Sequence, residues 1–297
     1  MSGAFRCSVS GQTRGDELAG TASTVRSFLL LEQAGPWGAE ALRDSRLSAA
    51  LGPALERHAA AHRVRPLLIR RPGRHAATDG VRVFAVLAGS WTETAVVPDL
   101  EAVLDWDLGA LAAGRSLGLA RHDEPIYAVC THGRHDPCCA ERGRPVALAL
   151  AEAEPERTWE CSHIGGDRFA GNLLVLPDGL YYGRLEPDDA VRVAAAHANG
   201  RLDLDHLRGR STLPMPVQAA EIALRRSLGE DRREAVAYGG RAVDGDLTVA
   251  RFAVAETSYA VTVRTSVSVD THPLTCRAAV DSPVPRHQVL AVEPVAR

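Results

Sequence analysis

The chain has 297 residues, a net charge of -3 at neutral pH and 45% hydrophobic residues, a composition typical of a globular protein in water. Its near-neutral charge and short apolar runs indicate neither a nucleic-acid nor a membrane partner. All of its positive charge is arginine, which excludes mechanisms that need a lysine, such as a Schiff base. Residues 1–20 lack the apolar core of a signal peptide, so we expect a cytoplasmic protein.

The first third of the chain is predicted to form an α/β unit. Residues 1–25 are rich in Ser, Gly and Thr and are expected to be irregular. The apolar periodicity that follows predicts strands and two helices. In chain order these are a strand at 27–32, a helix at 39–61, strands at 65–70, 81–88 and 92–97, and a helix at 99–113.

The middle third is predicted to repeat this order. The predicted elements are a strand at 127–130, a helix at 139–153, strands at 158–163, 173–176 and 180–185, and a helix at 187–198. The turn Pro177-Asp178-Gly179 joins the last two strands as a hairpin. The stretch VFAVLAGSWTETAVVPDLEAVL also resembles NLLVLPDGLYYGRLEPDDAVRV. This internal similarity indicates two related units side by side.

A third segment is expected after the proline-containing linker at 213–216. Residues 217–230 have helical periodicity, and 234–239, 247–254 and 257–269 are predicted strands of a small antiparallel sheet. No site chemistry is visible there, so we expect a role in packing, homodimer formation or docking of a partner. The predicted domains are therefore 1–120, 121–212 and 213–297.

Four of the six cysteines lie in two clusters of the middle unit, AVCTHGRHDPCCAERG and WECSHIGGDRFAGN. Each cluster stands where an apolar run gives way to a Gly-containing loop, so a strand would carry ligands to one end of the unit. Cys130 and Cys139 have eight residues between them, and His163 and Asp167 have three. Thiolates and imidazole suit zinc, copper(I) or an iron-sulfur cluster. No CxxC pair is present, which argues against a zinc ribbon or a dithiol oxidoreductase.

At these residues the sequence resembles the sucrase/ferredoxin-like family of thioredoxin-like 2Fe-2S ferredoxins. The resemblance rests on the two cysteines, on SHIGGDRFAGN and on LLVLPDGLYYGR. It implies an α/β (α+β) fold with a thioredoxin-like ferredoxin domain, preceded by a second such unit or a diverged α/β partner. In that family a cysteine pair binds one iron and an HxxxH histidine pair binds the other. The resemblance thus implies Cys130, Cys139 and His163 as ligands, with Asp167 at the second histidine position.

The fourth ligand has two candidates. Cys161 lies two residues from His163 on a predicted strand and offers a softer ligand, whereas Asp167 stands at the family position and Gly165 and Gly166 let its loop curl back. We favour Asp167.

The other candidate residues have simpler interpretations. Cys138 is expected to be a neighbour of Cys139 and not a ligand, because adjacent residues point in different directions. His132 and His135 are expected to be exposed or to hydrogen-bond to ligands. Cys7 and Cys276 stand alone in the sequence and are interpreted as plain thiols.

Two functions follow from this sequence. The preferred one is electron transfer to a redox partner protein through a 2Fe-2S cluster with mixed Cys/His ligation. The alternative is a zinc-stabilised or metal-free thioredoxin-like binding module. An electron carrier is favoured over a catalyst. Hydrolysis of a sugar is not supported, because aromatic residues make up only 5% of the chain and no opposed carboxylate pair is recognisable.

Overall fold

The computed structural model describes residues 4–73 and 80–295. Its elements fall into three consecutive groups. The first group comprises α1 (Cys7–Thr13), β1 (Ser27–Glu32), α2 (Leu51–Ala61), β2 (Arg65–Arg70), β3 (Val81–Leu87), β4 (Trp91–Val97), a 3-10 helix (Leu100–Asp105), α3 (Leu108–Ala112) and β5 (Ala120–Arg121). The second comprises β6 (Ile126–Cys130), α4 (Pro137–Ala153), β7 (Thr158–Cys161), a 3-10 helix (Asp167–Phe169), β8 (Leu173–Leu176), β9 (Leu180–Tyr182), α5 (Pro187–Ala198) and β10 (Leu207–Arg210). The third comprises α6 (Met215–Leu228), β11 (Val236–Asp244), β12 (Leu247–Val254), β13 (Thr257–His272) and β14 (Ser282–Val295).

The first two groups share one mixed sheet. Its strand order is β10-β9-β8-β6-β7-β2-β1-β3-β4-β5. Within it β1 is parallel to β2 and antiparallel to β3, and β6 is parallel to β7 and antiparallel to β8. The two groups therefore repeat one topology. They meet where β2 and β7 pair antiparallel, with Ile69 opposite Cys161.

The central strands of this sheet are buried on both faces, whereas β5 at one edge is exposed. In β1, Phe28 and Leu30 belong to a core on one face that also includes residues of β6, β7 and β8, so both groups share it. Leu29 and Leu31 face the other side and pack with α2 and the first 3-10 helix. On that same side, α4 and α5 cover the second group. A strand buried on both faces has a continuous apolar sequence, which is why SFLLLE lacks alternation.

The third group packs α6 on the antiparallel sheet β11-β12-β13-β14. Val217 and Leu224 of α6 meet Phe252, Val261 and Val263 of the sheet in a separate core. With the shared mixed sheet, this arrangement confirms the predicted α/β (α+β) class. The exact domain boundaries stay a prediction.

Two predicted helices are shorter in the structure. The helix expected at 39–61 forms only at Leu51–Ala61, because the Asp44 carboxylate accepts the backbone N–H four residues earlier at 2.8 Å and holds a turn. The helix expected at 99–113 is divided in two because Asp107 caps a new helix, accepting a backbone N–H at 2.9 Å. Short polar side chains compete for the backbone donors that a continuous helix would use.

Other boundaries also differ from the prediction. The strands expected at 158–163 and 180–185 end earlier, and Arg184 has a φ of 58°, which a strand cannot accommodate. The N-terminal segment expected to be irregular contains α1, and its residues 1–3 lie outside the described residues. The prediction also lacked β14. Its prolines weaken the strand pattern in the sequence. The structure accommodates them because β14 is an edge strand, where a residue without a backbone N–H can face away from the neighbouring strand.

Candidate metal centre

The candidate centre lies at the carboxyl ends of two parallel strands, β6 and β7. Cys130, the last residue of β6, pairs in register with Cys161, the last residue of β7. Because parallel strands end at the same edge of a sheet, the loops at 131–136 and 162–166 leave from neighbouring points. This edge brings together the two cysteine-containing stretches.

The start of α4 places Cys139 against the end of β6. The carboxylate of Asp136 caps this helix and accepts the backbone N–H of Cys138 at 2.9 Å. One turn further along, a Cβ at Gly143 would overlap the carbonyl oxygen of Cys130. Only glycine permits this approach, which sets the helix directly on the strand and the Cys139 thiol beside the Cys130 thiol.

The loop that carries Asp167 depends on two glycines in left-handed conformations. Gly165 and Gly166 have φ values of 94° and 81°. The guanidinium of Arg208 fills the space where a side chain of Gly166 would lie. Arg208 is fully buried and donates a hydrogen bond of 2.9 Å to the Gly165 carbonyl oxygen. The turn thereby brings Asp167 back beside His163.

Four of the predicted site residues meet in this space. The ligand-capable atoms of Cys130, Cys139 and His163 lie within 4.8 Å of one another. Asp167 contacts two of them: its Oδ1 accepts from the Cys139 thiol at 3.2 Å and lies 2.9 Å from His163 Nδ1. Both cysteines and Asp167 are buried, whereas His163 is partly exposed. Thus the thiols form the inner side of the centre and the imidazole the outer side.

The charges of these groups depend on one another. The Cys139 thiol points to Cys130, which lowers the pKa of Cys130 and raises that of Cys139. Burial opposes the charging of His163, but the neighbouring Asp167 carboxylate and Cys130 sulfur outweigh it and raise the pKa of His163 to about 9. The His163 N–H is not aligned with the nearby Asp167 oxygen, so this buried Nδ1 has no well-directed hydrogen bond within residues 4–73 and 80–295.

The two loop histidines have different positions. His132 is buried, accepts the backbone N–H of His163 at its Nδ1 (3.3 Å) and therefore donates from Nε2 to the carbonyl of Gly38 (2.7 Å). This is the expected hydrogen-bonding role. His135 is closer to the centre: its ring stacks on that of His163 with centroids 3.9 Å apart, and its Nε2 lies 3.9 Å from Asp167. With His163 and Asp167 it forms a second ligand-capable triad.

Cys161 and Cys138 lie outside this group. Among the described residues, Cys161 belongs to no set of three ligand-capable side chains, and its thiol is buried in the apolar core that Trp159 and Ile69 share. Cys138 points away from Cys139 to a different group of cysteines. The structure therefore associates Asp167, and not Cys161, with His163.

A cleft of about 270 Å³ opens beside the outer side of the centre. His132, His135 and His163 form one wall, and Arg43 and Arg65 contribute to the rest. Solvent or a partner molecule can therefore approach the imidazole side, while the thiols stay enclosed by the sheet and α4.

The sucrase/ferredoxin-like family model matches residues 18–209, about two thirds of the chain, and this range contains the whole centre. The chain belongs to the sucrase/ferredoxin-like family. Searches of curated proteins and of solved structures gave no significant match. Within the described residues, no helix has the length and apolar character needed to cross a bilayer.

In this member of the sucrase/ferredoxin-like family, one supporting residue escaped the sequence prediction, and a second, His135, was expected to be exposed or to hydrogen-bond to ligands and not to stack on His163. Arg208 carried no signal, because an arginine in a strand is normally exposed. His135 did carry a signal: it stands four residues before Cys139, in the loop between the two cysteines. That proximity in sequence could have placed it near the centre.

Proposed function

We propose that this protein is an electron carrier that holds a 2Fe-2S cluster with Cys130, Cys139, His163 and Asp167. The observation that carries the proposal is the convergence of two buried thiols, an imidazole and a carboxylate at one sheet edge. Three of the four donors fit such a group, because iron-sulfur clusters take thiolate ligands and accept imidazole at one iron. The Asp167 carboxylate is a harder ligand, which would leave the fourth position labile. His163 Nδ1 and Asp167 Oδ1 lie 2.9 Å apart, so the two side chains present their ligand atoms to the same space.

When bound, such a cluster would supply reversible one-electron transfer. The side chains around it would then have distinct tasks. Cys130 and Cys139 would bind as thiolates inside the protein, where the sheet and α4 exclude water. His163 would bind through Nδ1 and keep its other nitrogen for a proton on the side of the cleft. His132 would orient that ring through the backbone N–H of His163.

We further propose that a redox partner protein docks over the cleft. The support is that the exposed part of the centre is its imidazole side, whereas the thiols are enclosed. A cytoplasmic location also belongs to this proposal, and the six free cysteines support it because a reducing compartment keeps thiols unpaired. Dimer formation through the third segment stays a prediction.

The alternative occupant is a single zinc ion. Around tetrahedral zinc, with bonds of about 2.0 to 2.3 Å, ligand atoms lie about 3.3 to 3.8 Å apart. The compact spacing of the Cys130, Cys139 and His163 donors, all within 4.8 Å, favours this second candidate. Zinc would give a colourless binding module without redox activity.

The test is anaerobic purification followed by an absorption spectrum with iron and sulfide assays. We expect two irons and two sulfides per chain and a red-brown colour. Cys130→Ser and Cys139→Ser should lose both iron and colour. Cys161→Ser is the matched control, a buried thiol on the adjacent strand, and should keep them. A colourless wild-type protein that contains zinc and no iron would refute electron transfer, and loss of colour in Cys161→Ser would refute the ligand assignment.

A further inference from the structure

A second group of cysteines lies on the other side of the first turn of α4. It consists of Cys7, Asp136, Cys138 and Cys276, whose ligand-capable atoms all lie within 4.8 Å of one another. The sulfurs of Cys138 and Cys276 are 3.4 Å apart, and the Cys7 sulfur lies 3.5 Å from the nearer oxygen of Asp136. These residues come from α1, from the start of α4 and from the loop between β13 and β14.

Burial makes this arrangement costly without a cation. Cys7, Asp136 and Cys138 are almost completely buried, and Cys276 is partly buried. Within the described part of the chain, no arginine or histidine forms an ion pair with Asp136. The carboxylate does accept the backbone N–H of Cys138 (2.9 Å) and of Cys276 (2.6 Å). Buried carboxylates are usually paired with a cation or bound to a metal.

We propose that Cys7, Asp136, Cys138 and Cys276 form a second metal site, which binds one Zn²⁺ ion. The separations of 3.4 and 3.5 Å match the edges of a tetrahedron with zinc-ligand bonds of about 2.0 to 2.3 Å. Three thiolates and a carboxylate are a zinc-type donor set. With four protein ligands the site is closed, so its role is structural.

Hydrogen-bond donors around the group suit bound thiolates. The hydroxyl of Ser8 donates to the Cys138 sulfur at 3.3 Å, and the backbone N–H of Cys7 points to the Cys276 sulfur at 3.3 Å. Such donors partly neutralise the charge of metal-bound thiolates and hold the ligands in place. Zn²⁺ binds cysteines as thiolates, so affinity should fall as the pH is lowered and protons compete for the sulfurs.

The site would join parts of the chain that are distant in sequence. Zinc would tie α1 and the β13–β14 loop to the first turn of α4. Cys138 and Cys139 are consecutive in that turn and face different centres. The zinc site would therefore also fix the helix start that presents Cys139 to the candidate redox centre.

The test is metal analysis of the purified full-length chain and of single variants. Cys138→Ser and Cys276→Ser should each lose one zinc equivalent and melt at a lower temperature than the wild type. Cys161→Ser, a buried thiol outside both groups, is the matched control and should keep the zinc. A zinc content equal to that of the wild type in both Cys138→Ser and Cys276→Ser would overturn the proposal, as would a Cys138–Cys276 disulfide found by mass spectrometry of the native protein.

Comparing Cys138→Ser with Cys139→Ser separates this site from the proposed redox centre. We expect Cys138→Ser to lose zinc and keep its colour, and Cys139→Ser to lose colour and keep zinc. If the redox proposal fails and the first centre holds zinc, the wild type will contain two zinc equivalents and Cys138→Ser one. A wild-type chain without any zinc would contradict the second site whatever the first contains.

A measurement on the wild type covers the case in which these variants do not fold. Metal-free protein is alkylated with iodoacetamide before and after addition of Zn²⁺, and the labelled cysteines are mapped by mass spectrometry. Zinc should protect Cys276, the partly exposed thiol of the group, while Cys161, buried outside the group, stays unlabelled with or without zinc. Equal labelling of Cys276 with and without zinc would overturn the proposal.

Discussion

Arg208 provides a sharp test of how the fold supports the candidate centre. Its guanidinium is buried beneath the Gly165-Gly166 turn and makes four hydrogen bonds. The acceptors are Gly165 O (2.9 Å), Asn172 Oδ1 (2.8 Å), Thr21 O (2.5 Å) and Thr21 Oγ1 (3.1 Å). Burial lowers the pKa of Arg208 to about 10, which still leaves it charged at neutral pH.

The expected cost of Arg208→Leu follows from these contacts. Asn172 Oδ1 is buried and would lose its donor, at about 1 to 3 kcal/mol. The carbonyls of Gly165 and Thr21 are partly exposed and can hydrogen-bond to water instead. The loss of each of these hydrogen bonds therefore adds only about 0.5 to 1.5 kcal/mol to the cost of the substitution. Removing a desolvated cation offsets part of this loss. We therefore expect the free energy of unfolding to fall by about 2 to 4 kcal/mol.

The assay is urea unfolding of the metal-free chain, followed by circular dichroism and tryptophan fluorescence. Arg208→Lys should lose less stability than Arg208→Leu, because an ammonium group can still donate to up to three acceptors. Arg192→Leu is the control, since Arg192 forms an exposed ion pair, and such pairs contribute at most about 1 kcal/mol. If Arg208→Leu is no less stable than Arg192→Leu, the buried guanidinium does not support the turn as we argue.

Two further predictions concern single side chains. Asp167→His should retain or strengthen binding of the proposed cluster, because the family resemblance implies imidazole at this position, and Asp167→Ala should weaken it. Equal iron content in both variants would count against Asp167 as a ligand. His206 donates to Asp203 at 3.0 Å and faces Asp189 and Arg192; the hydrogen bond raises the pKa of His206 despite partial burial. A histidine whose pKa is higher in the folded protein than in the unfolded chain stabilises the fold. This contribution is complete below about pH 6.5, the ordinary histidine pKa, and is lost as the pH rises through the higher pKa of the folded state. The difference in unfolding free energy between wild type and His206→Gln, measured in urea, should therefore shrink from pH 6 to pH 9, and a difference that grows would refute this reasoning.

Local sequence patterns determined most of the elements that carry the candidate centre. Apolar runs predicted β6 and β7, and Asp136-Pro137 and the following periodicity agree with α4, whose start was expected two residues later. These signals are short-range, because strand and helix periods repeat within a few residues. The same signals predicted that Cys130 and Cys139 stand near one sheet edge.

Other features depended on contacts that no local pattern encodes. Pairing of β2 with β7 merges the two repeats into one sheet, and the sequence showed only that the repeats are alike. Cys7 and Cys276 were interpreted as plain thiols because each stands alone in the sequence, yet the Cys7 backbone nitrogen lies 3.3 Å from the Cys276 sulfur, 269 residues away in the chain. No sequence pattern singled out Arg208, and it is buried because tertiary packing supplied acceptors for its donors. Periodicity in the sequence shows which face of a helix or strand is apolar. The hydrogen-bond partners of buried polar groups come from distant segments of the chain, so only the tertiary structure determines them.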